Sequence, residues 1–194
     1  MLTVLTRTSG RPNFFRRCRQ SVMQQTSRAY HIVSLDNPAD TYAHGDVLVK
    51  VCRDNTAGAR PENAYFNAMR RRVPPSFPYV MFLDDDDEFT SPEAVAAICR
   101  YLTPDRLVLW KVDMGNGLLL PEDNYWGGPP QPAHISGIGF AFHVQHWHDW
   151  IPEHFGDYHV AHQLYRHLSP VWLPHVLTRM QASHGMGQRG DRVD

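Results

Sequence analysis

The sequence predicts a doubly wound α/β fold, a mostly parallel central sheet flanked by helices, and two observations carry that prediction. Over the first 112 residues, short apolar runs rich in β-formers alternate with segments of helical spacing, as in a parallel sheet whose crossovers are helices. One of those runs, Tyr79-Val80-Met81-Phe82-Leu83, leads directly into Asp84, Asp85, Asp86, Asp87 and Glu88. A buried strand ending in carboxylates delivers them to the sheet edge where open α/β folds bind ligands.

Taken in order, residues 2–6 form the first strand, and Ser9-Gly10-Arg11-Pro12 turns the chain. Residues 13–25 read as a helix, with Phe14, Cys18 and Val22 four apart on one face. Strands follow at 30–35, ending in Asp36-Asn37-Pro38, and at 46–52; then come a helix at 61–72 and the strand at 79–83. The next helix spans 91–102, with Ser91 as its cap and Pro92 in its first turn, and residues 107–112 form a fifth strand. Beyond Asp113 the glycines at 115, 117, 127 and 128 and the prolines at 121, 129, 130 and 132 interrupt any long periodic element. An irregular segment of that length is usually functional or mobile. A strand at 138–144, a helix at 157–167 and a strand at 176–180 complete the pattern before a glycine-rich tail.

A chain of 194 residues can bury a full core and is expected to form one domain over 1–194, with a ligand-binding half at 1–112 and a second half at 113–194. The opening residues are too short for a signal peptide, and no apolar stretch approaches a bilayer span. A soluble, cytoplasmic protein is the expectation. Three widely separated cysteines, Cys18, Cys52 and Cys99, indicate neither a disulfide framework nor a thiolate zinc site. Charge is uneven: residues 1–72 carry twelve basic and five acidic residues, and the remainder seven basic and fifteen acidic. Before Asp36 there are arginines and no acids, so this region could meet phosphates or form a solvated face.

Contiguous carboxylates repel one another unless a cation or solvent relieves them, and hard oxygen ligands suit Mg²⁺, Mn²⁺ or Ca²⁺. The alternative is a solvated acidic turn. Thr6-Arg7-Thr8, Asp36 and the aspartate run fall at the carboxyl ends of successive strands, so all three converge on one crevice. A nucleotide fits there: Asp36 can accept from a base or ribose, Thr and Arg groups can line the base, and a carboxylate-held metal can bridge a diphosphate.

The opening strand with Arg11-Pro12, Asp36, the run from Asn55 to Ala68, and above all Phe82-Leu83-Asp84-Asp85-Asp86-Asp87 together resemble the GT-A fold glycosyltransferases of the inverting family-2 type. The last segment is similar to that family's strand ending in a DXD motif. The resemblance covers residues 1 to about 100. It implies a nucleotide-diphosphate sugar donor, most often a UDP-sugar, held with Mn²⁺ or Mg²⁺. Position by position, it implies that Thr6 and Thr8 line the base, Asp36 contacts the base and Asp84 the ribose. Arg7 and Asp85 fall in the same nucleotide-binding segments, and Asn55 and Gly58 match the family's Asn-x-x-Gly region, which the resemblance also places at the nucleotide-sugar. Asp86 would be the principal metal ligand with Asp87 close by, and His184 could complete the metal site.

Inverting transfer also needs a general base for the acceptor hydroxyl. The family takes it from an acidic residue at a helix start, and here Asp157 in Phe155-Gly156-Asp157-Tyr158 is the match; a plain helix cap is the alternative. In either role the helix dipole would favour its ionised form. The family's preceding Glu is replaced by Gly156. Tyr125, Trp126, Trp147 and Trp150 fall where the family binds acceptor, either as stacking faces or as core. The acceptor could be a hydroxylated base in DNA, a saccharide or a small molecule. The rivals are a nucleotidyltransferase, weakened by a first loop with one glycine and no lysine, and a non-catalytic module that binds nucleotide-sugars or nucleic acid.

Overall fold

A computed structural model describes residues 1–37, 39–52, 63 and 65–181. Its nine strands form one sheet, ordered β3-β2-β1-β4-β8-β6-β9-β5, with β7 paired to β6. These strands are β1 (Leu2–Thr8), β2 (Ala29–Leu35), β3 (Val47–Lys50), β4 (Tyr79–Phe82), β5 (Asp87–Phe89), β6 (Arg106–Asp113), β7 (Leu119–Leu120), β8 (Phe140–His143) and β9 (Ser169–Met180). The helices are α1 (Pro12–Met23), α2 (Tyr65–Met69), α3 (Ala94–Cys99) and α4 (Gly156–Tyr165). Strands β1, β2, β3, β4, β6 and β9 run in one direction, and β5, β7 and β8 run against them.

The sheet separates two apolar layers because side chains alternate along each strand. On one face Leu2 and Val4 of β1 and Val108, Trp110 and Val112 of β6 pack with Cys18 and Val22 of α1 and Val95 and Ile98 of α3. On the other, Leu5, Leu107 and Leu109 meet Phe66 and Met69 of α2 and Val160, Ala161 and Leu164 of α4. Phe82 is central to this second layer, with its ring 4.7 Å from Trp150 and 4.8 Å from Phe66.

Several elements differ from the sequence expectation, each for a physical reason. The buried face of α1 carries Phe15, not Phe14, with Cys18 and Val22; Phe14 lies under the Arg17 guanidinium at 4.9 Å. The helix expected from Ser91 begins at Ala94, and Ser91 instead closes the turn before it, its Oγ accepting from the Glu93 N–H at 3.3 Å. Helix α2 gives way to a 3-10 turn over Arg70–Arg72; Pro61, Glu62 and Ala64 of the expected helix lie outside the described residues.

Strand β9 is longer than its apolar stretch because it crosses Pro170 and Pro174. Its register against β6 jumps from Trp110↔Leu173 to Lys111↔Val176, a bulge that absorbs a residue unable to donate to the ladder. Strand β5 was not expected from the sequence: Asp87 and Glu88, at the end of the acidic run, are extended because they pair with Met180 and Arg179 of β9, a partner far along the chain. No helix among the described residues is long and apolar enough to cross a membrane.

Candidate active site

The parallel registers Leu5↔Ile32 and Leu5↔Phe82 set β1 between β2 and β4, with their carboxyl ends on one edge. Arg7, Thr8, Asp36 and the aspartate run gather there. Arg7 points from the α2 face and grips Asp84 with two parallel bonds, Nε to Oδ1 at 2.7 Å and Nη2 to Oδ2 at 2.8 Å. Its guanidinium lies 4.8 Å over the Phe66 ring. Such a fork fixes the carboxylate plane, which a lysine could not do. Thr8, next along the strand, points to the other face and donates to Asp85 Oδ2 at 2.7 Å. Tyr42 lies 2.9 Å from the Thr8 hydroxyl and accepts from the Arg11 backbone N–H at 3.1 Å.

Arg11, at the mouth of α1, places its guanidinium between two acids. It donates to both oxygens of Asp85 and, from Nη1, to Asp86 Oδ2 at 2.8 Å. Burial works against its charge, but Asp85 and then Asp86 outweigh that and hold Arg11 charged. Asp85 has no exposed surface, and burial pushes its carboxyl up to about 7 against the pull of Arg11. Burial also raises Asp86, opposed by Arg11. Asp87 is raised well above the ordinary range, by burial first and then by Asp86 and Asp84. These environments disfavour negative charge unless more positive charge arrives.

Asp84, Asp86 and Asp87 each offer a carboxylate oxygen within 4.8 Å of the others. Asp87 Oδ2 accepts from the Asp84 N–H at 3.2 Å, while Oδ1 is buried and no hydrogen-bond donor among the described residues reaches it. A buried acceptor lacking a donor, among hard oxygen ligands, fits a divalent cation. This fits the metal reading of the run better than the solvated turn, since Asp85, Asp86 and Asp87 are all buried.

Thr6 stands apart from the crevice. It is fully buried between β1 and α1, with its hydroxyl 2.8 Å from Nε2 of His31 and 3.9 Å from the Cys18 sulfur. There it ties the strand to its neighbours and does not line a base. Asp36 follows Leu35 at the end of β2 and is nearly buried. Asn55, Gly58 and His184 lie outside the described residues.

Asp157 lies in the first turn of α4, and the cap position is Phe155, which enters the helix at φ 60° and ψ 32° with no side-chain cap. The Asp157 carboxylate turns back onto the helix end, accepting from the Tyr158 N–H at 2.8 Å. Burial raises its pKa, while backbone donors on Tyr158 and Gly137 and the Arg7 charge pull it down. The dipole-based expectation of a more readily ionised group is thus overridden by burial. Gly156 has a steric reason. A Cβ there would stand 2.8 Å from Asn63 Nδ2 and 3.2 Å from the Trp150 ring, closer than side-chain carbons approach their neighbours.

Trp147 and Trp150 are core residues packed edge-to-face against Phe82, so they are not acceptor platforms. Tyr125 stacks on His134 at 3.8 Å, and Trp126 packs 4.9 Å from Trp172 with Lys111 5.2 Å from its ring. Sequence reading left three contributors without a role. Arg11 entered only as part of the Arg11-Pro12 pair, Asn63 only as one residue of the run from Asn55 to Ala68, and Tyr42 sits in a loop with no pattern of its own.

The strand order and the edge-on acidic run define a GT-A fold, and the same fold appears in solved glycosyltransferase structures. No family model matches the chain, and no curated protein matches it by sequence. A similar structure is that of S. aureus TarS 1-349, with a TM-score of 0.69 at 14% identity, covering 92% of this chain and 60% of that one. Another is the same protein in complex with UDP-GlcNAc, at 0.69 and 14%, covering 95% and 59%. A third is the mannosyltransferase PcManGT from Pyrobaculum calidifontis in complex with GDP-Man and Mn²⁺, at 0.65 and 17%, covering 97% and 58%. The chain thus spans about three fifths of the length of these structures.

Proposed function

We propose that this protein is a metal-dependent glycosyltransferase that moves a sugar from a nucleotide-diphosphate donor to an acceptor hydroxyl with inversion. The observation that carries the reading is the run Asp84 to Asp87 at the end of β4, oriented by Arg7 and Arg11 and leaving a buried carboxylate oxygen of Asp87 without a donor among the described residues. The shared fold supports it, since the similar structures are described with UDP-GlcNAc and with GDP-Man and Mn²⁺.

In this reading residues 1–112 bind the donor and 113–194 the acceptor. Asp86 is the principal ligand of a Mn²⁺ or Mg²⁺ ion, with Asp84 and Asp87 beside it. The ion would offset the charge that develops on a departing diphosphate. Arg7 holds the Asp84 carboxylate in one plane, ready to receive a ribose hydroxyl. Asp157 takes the proton from the acceptor hydroxyl as its oxygen bonds the anomeric carbon and the bond to the diphosphate breaks. A single displacement inverts that carbon. Burial, which raises the pKa of Asp157, makes it a stronger base than an exposed carboxylate.

Transfer from UDP- and GDP-sugars, assayed with Mn²⁺, tests the reading. Asp157→Asn should lower kcat by at least about a hundredfold with donor KM within a few fold. The acid limb of kcat/KM in the parent should lie above the ordinary carboxylate range. Full turnover in Asp157→Asn would remove Asp157 from the reaction. Salt separates the acceptor classes, because binding to a hydroxylated base in DNA weakens steeply with ionic strength and binding to a neutral saccharide does not.

A further inference from the structure

Two asparagines, Asn63 just before α2 and Asn67 within it, anchor the segment that leads into α4, and they differ in what else they touch. Asn67 accepts from the Trp150 N–H at 2.9 Å and donates to the Trp150 carbonyl at 2.9 Å. Asn63 anchors the segment three residues further on, its Nδ2 donating to the Glu153 carbonyl at 2.9 Å. Its Oδ1 meanwhile accepts from Nη1 of Arg7 at 2.8 Å. Asn63 is 8% exposed, so its amide has little solvent to exchange with. Arg7 in turn holds both oxygens of Asp84.

We propose that Asn63 is a positioning residue that couples occupancy of the donor site to the helix bearing Asp157, through the continuous path Asp84, Arg7, Asn63, Glu153 and α4. The inference rests on the glycosyltransferase reading of both ends.

The path is short and polar throughout. A guanidinium on Oδ1 polarises the amide and strengthens the bond that its Nδ2 gives to Glu153. The receiving segment is poised to respond. It ends in Phe155, which holds a left-handed backbone at φ 60°, and beside it a Cβ on Gly156 would stand 2.8 Å from Asn63 Nδ2. A donor that engages Asp84 settles Arg7, and through Asn63 it settles the first turn of α4. The base would then be fixed in place when there is a sugar to transfer.

The test is amide hydrogen exchange over residues 151–160, with and without UDP and Mn²⁺, in the parent, Asn63→Asp and Asn67→Ala. Asn63→Asp keeps an acceptor for Arg7 and loses the donor to Glu153. In the parent, nucleotide should slow exchange in the first turn of α4 by about tenfold. In Asn63→Asp, nucleotide should bind within about twofold of the parent while the slowing disappears, and kcat should fall with donor KM unchanged. Asn67→Ala, which loosens the same segment without cutting the path, should exchange faster at rest and still be slowed by nucleotide.

Slowing that persists in Asn63→Asp, or nucleotide binding to the parent without slowing, would overturn the coupling alone. Failure of the parent to bind either UDP or GDP would overturn the glycosyltransferase reading and this inference with it.

Discussion

Arg11 spreads one guanidinium over Asp85 and Asp86, and that makes it a resident counter-cation for a run that otherwise concentrates negative charge in a buried place. Removing one partner of a buried pair leaves the other uncompensated, which costs about 3–5 kcal/mol. Arg11→Met should therefore lower stability by that order in urea titrations, and Mn²⁺ should restore part of the loss by replacing the missing charge. A variant as stable as the parent would mean that solvent already neutralises the acids. His31 gives the pH counterpart. It is fully buried, and since Arg19 can only donate, Nδ1 accepts from Arg19 at 2.8 Å and Nε2–H faces Thr6. Burial, then the Arg19 charge, lowers its pKa from 6.5 to about 3. Between those values the unfolded chain holds more protons than the folded one. Its contribution is therefore fully present above pH 6.5 and is lost as pH falls toward 3. His31→Gln should show a smaller drop in urea midpoint between about pH 7 and about pH 5 than the parent does. An identical drop would show that His31 is not held neutral.

At the scale of elements, the parts that showed in the sequence were those whose pattern is local. Strand β4 announces itself as an apolar run closed by acids, and α1 by its periodic face, although one residue of that face was misplaced because Phe14 and Phe15 are adjacent and equally apolar. Strand β5 was hidden because its extended form comes from pairing across about ninety residues of chain, Asp87 with Met180, and of β9 the sequence showed only 176–180, because its proline-broken earlier part is held extended by pairing with β6. The entrance to α4 shows the same limit: its start was legible, yet the cap proved to be Phe155 in a left-handed backbone. Phe155→Gly should relieve that strain and raise stability by about 1 kcal/mol in thermal or urea unfolding. Destabilisation would mean that the half-exposed ring contributes packing that outweighs the strain.

Across the whole molecule, the crevice at the sheet edge was legible because parallel strands bring distant residues to one edge by geometry alone. Arg7 with Asp84 and Thr8 with Asp85 meet across 77 residues of sequence, and the strand order makes that meeting unavoidable. The second half was less legible: Trp147 and Trp150 read as candidate stacking faces, but the sheet needs them as core against Phe82. The two halves share one sheet, with β8 and β9 from the second half placed between and beside strands of the first. On the proposed reading of Asp86 as a metal ligand, nucleotide binding should require the acidic run. Calorimetric titration of UDP and GDP, with and without Mn²⁺, into the parent and Asp86→Ala measures this directly. The account predicts nucleotide binding that strengthens at least about tenfold with Mn²⁺ and loses that dependence in Asp86→Ala. A folded parent protein that binds neither nucleotide, with or without the ion, would contradict it.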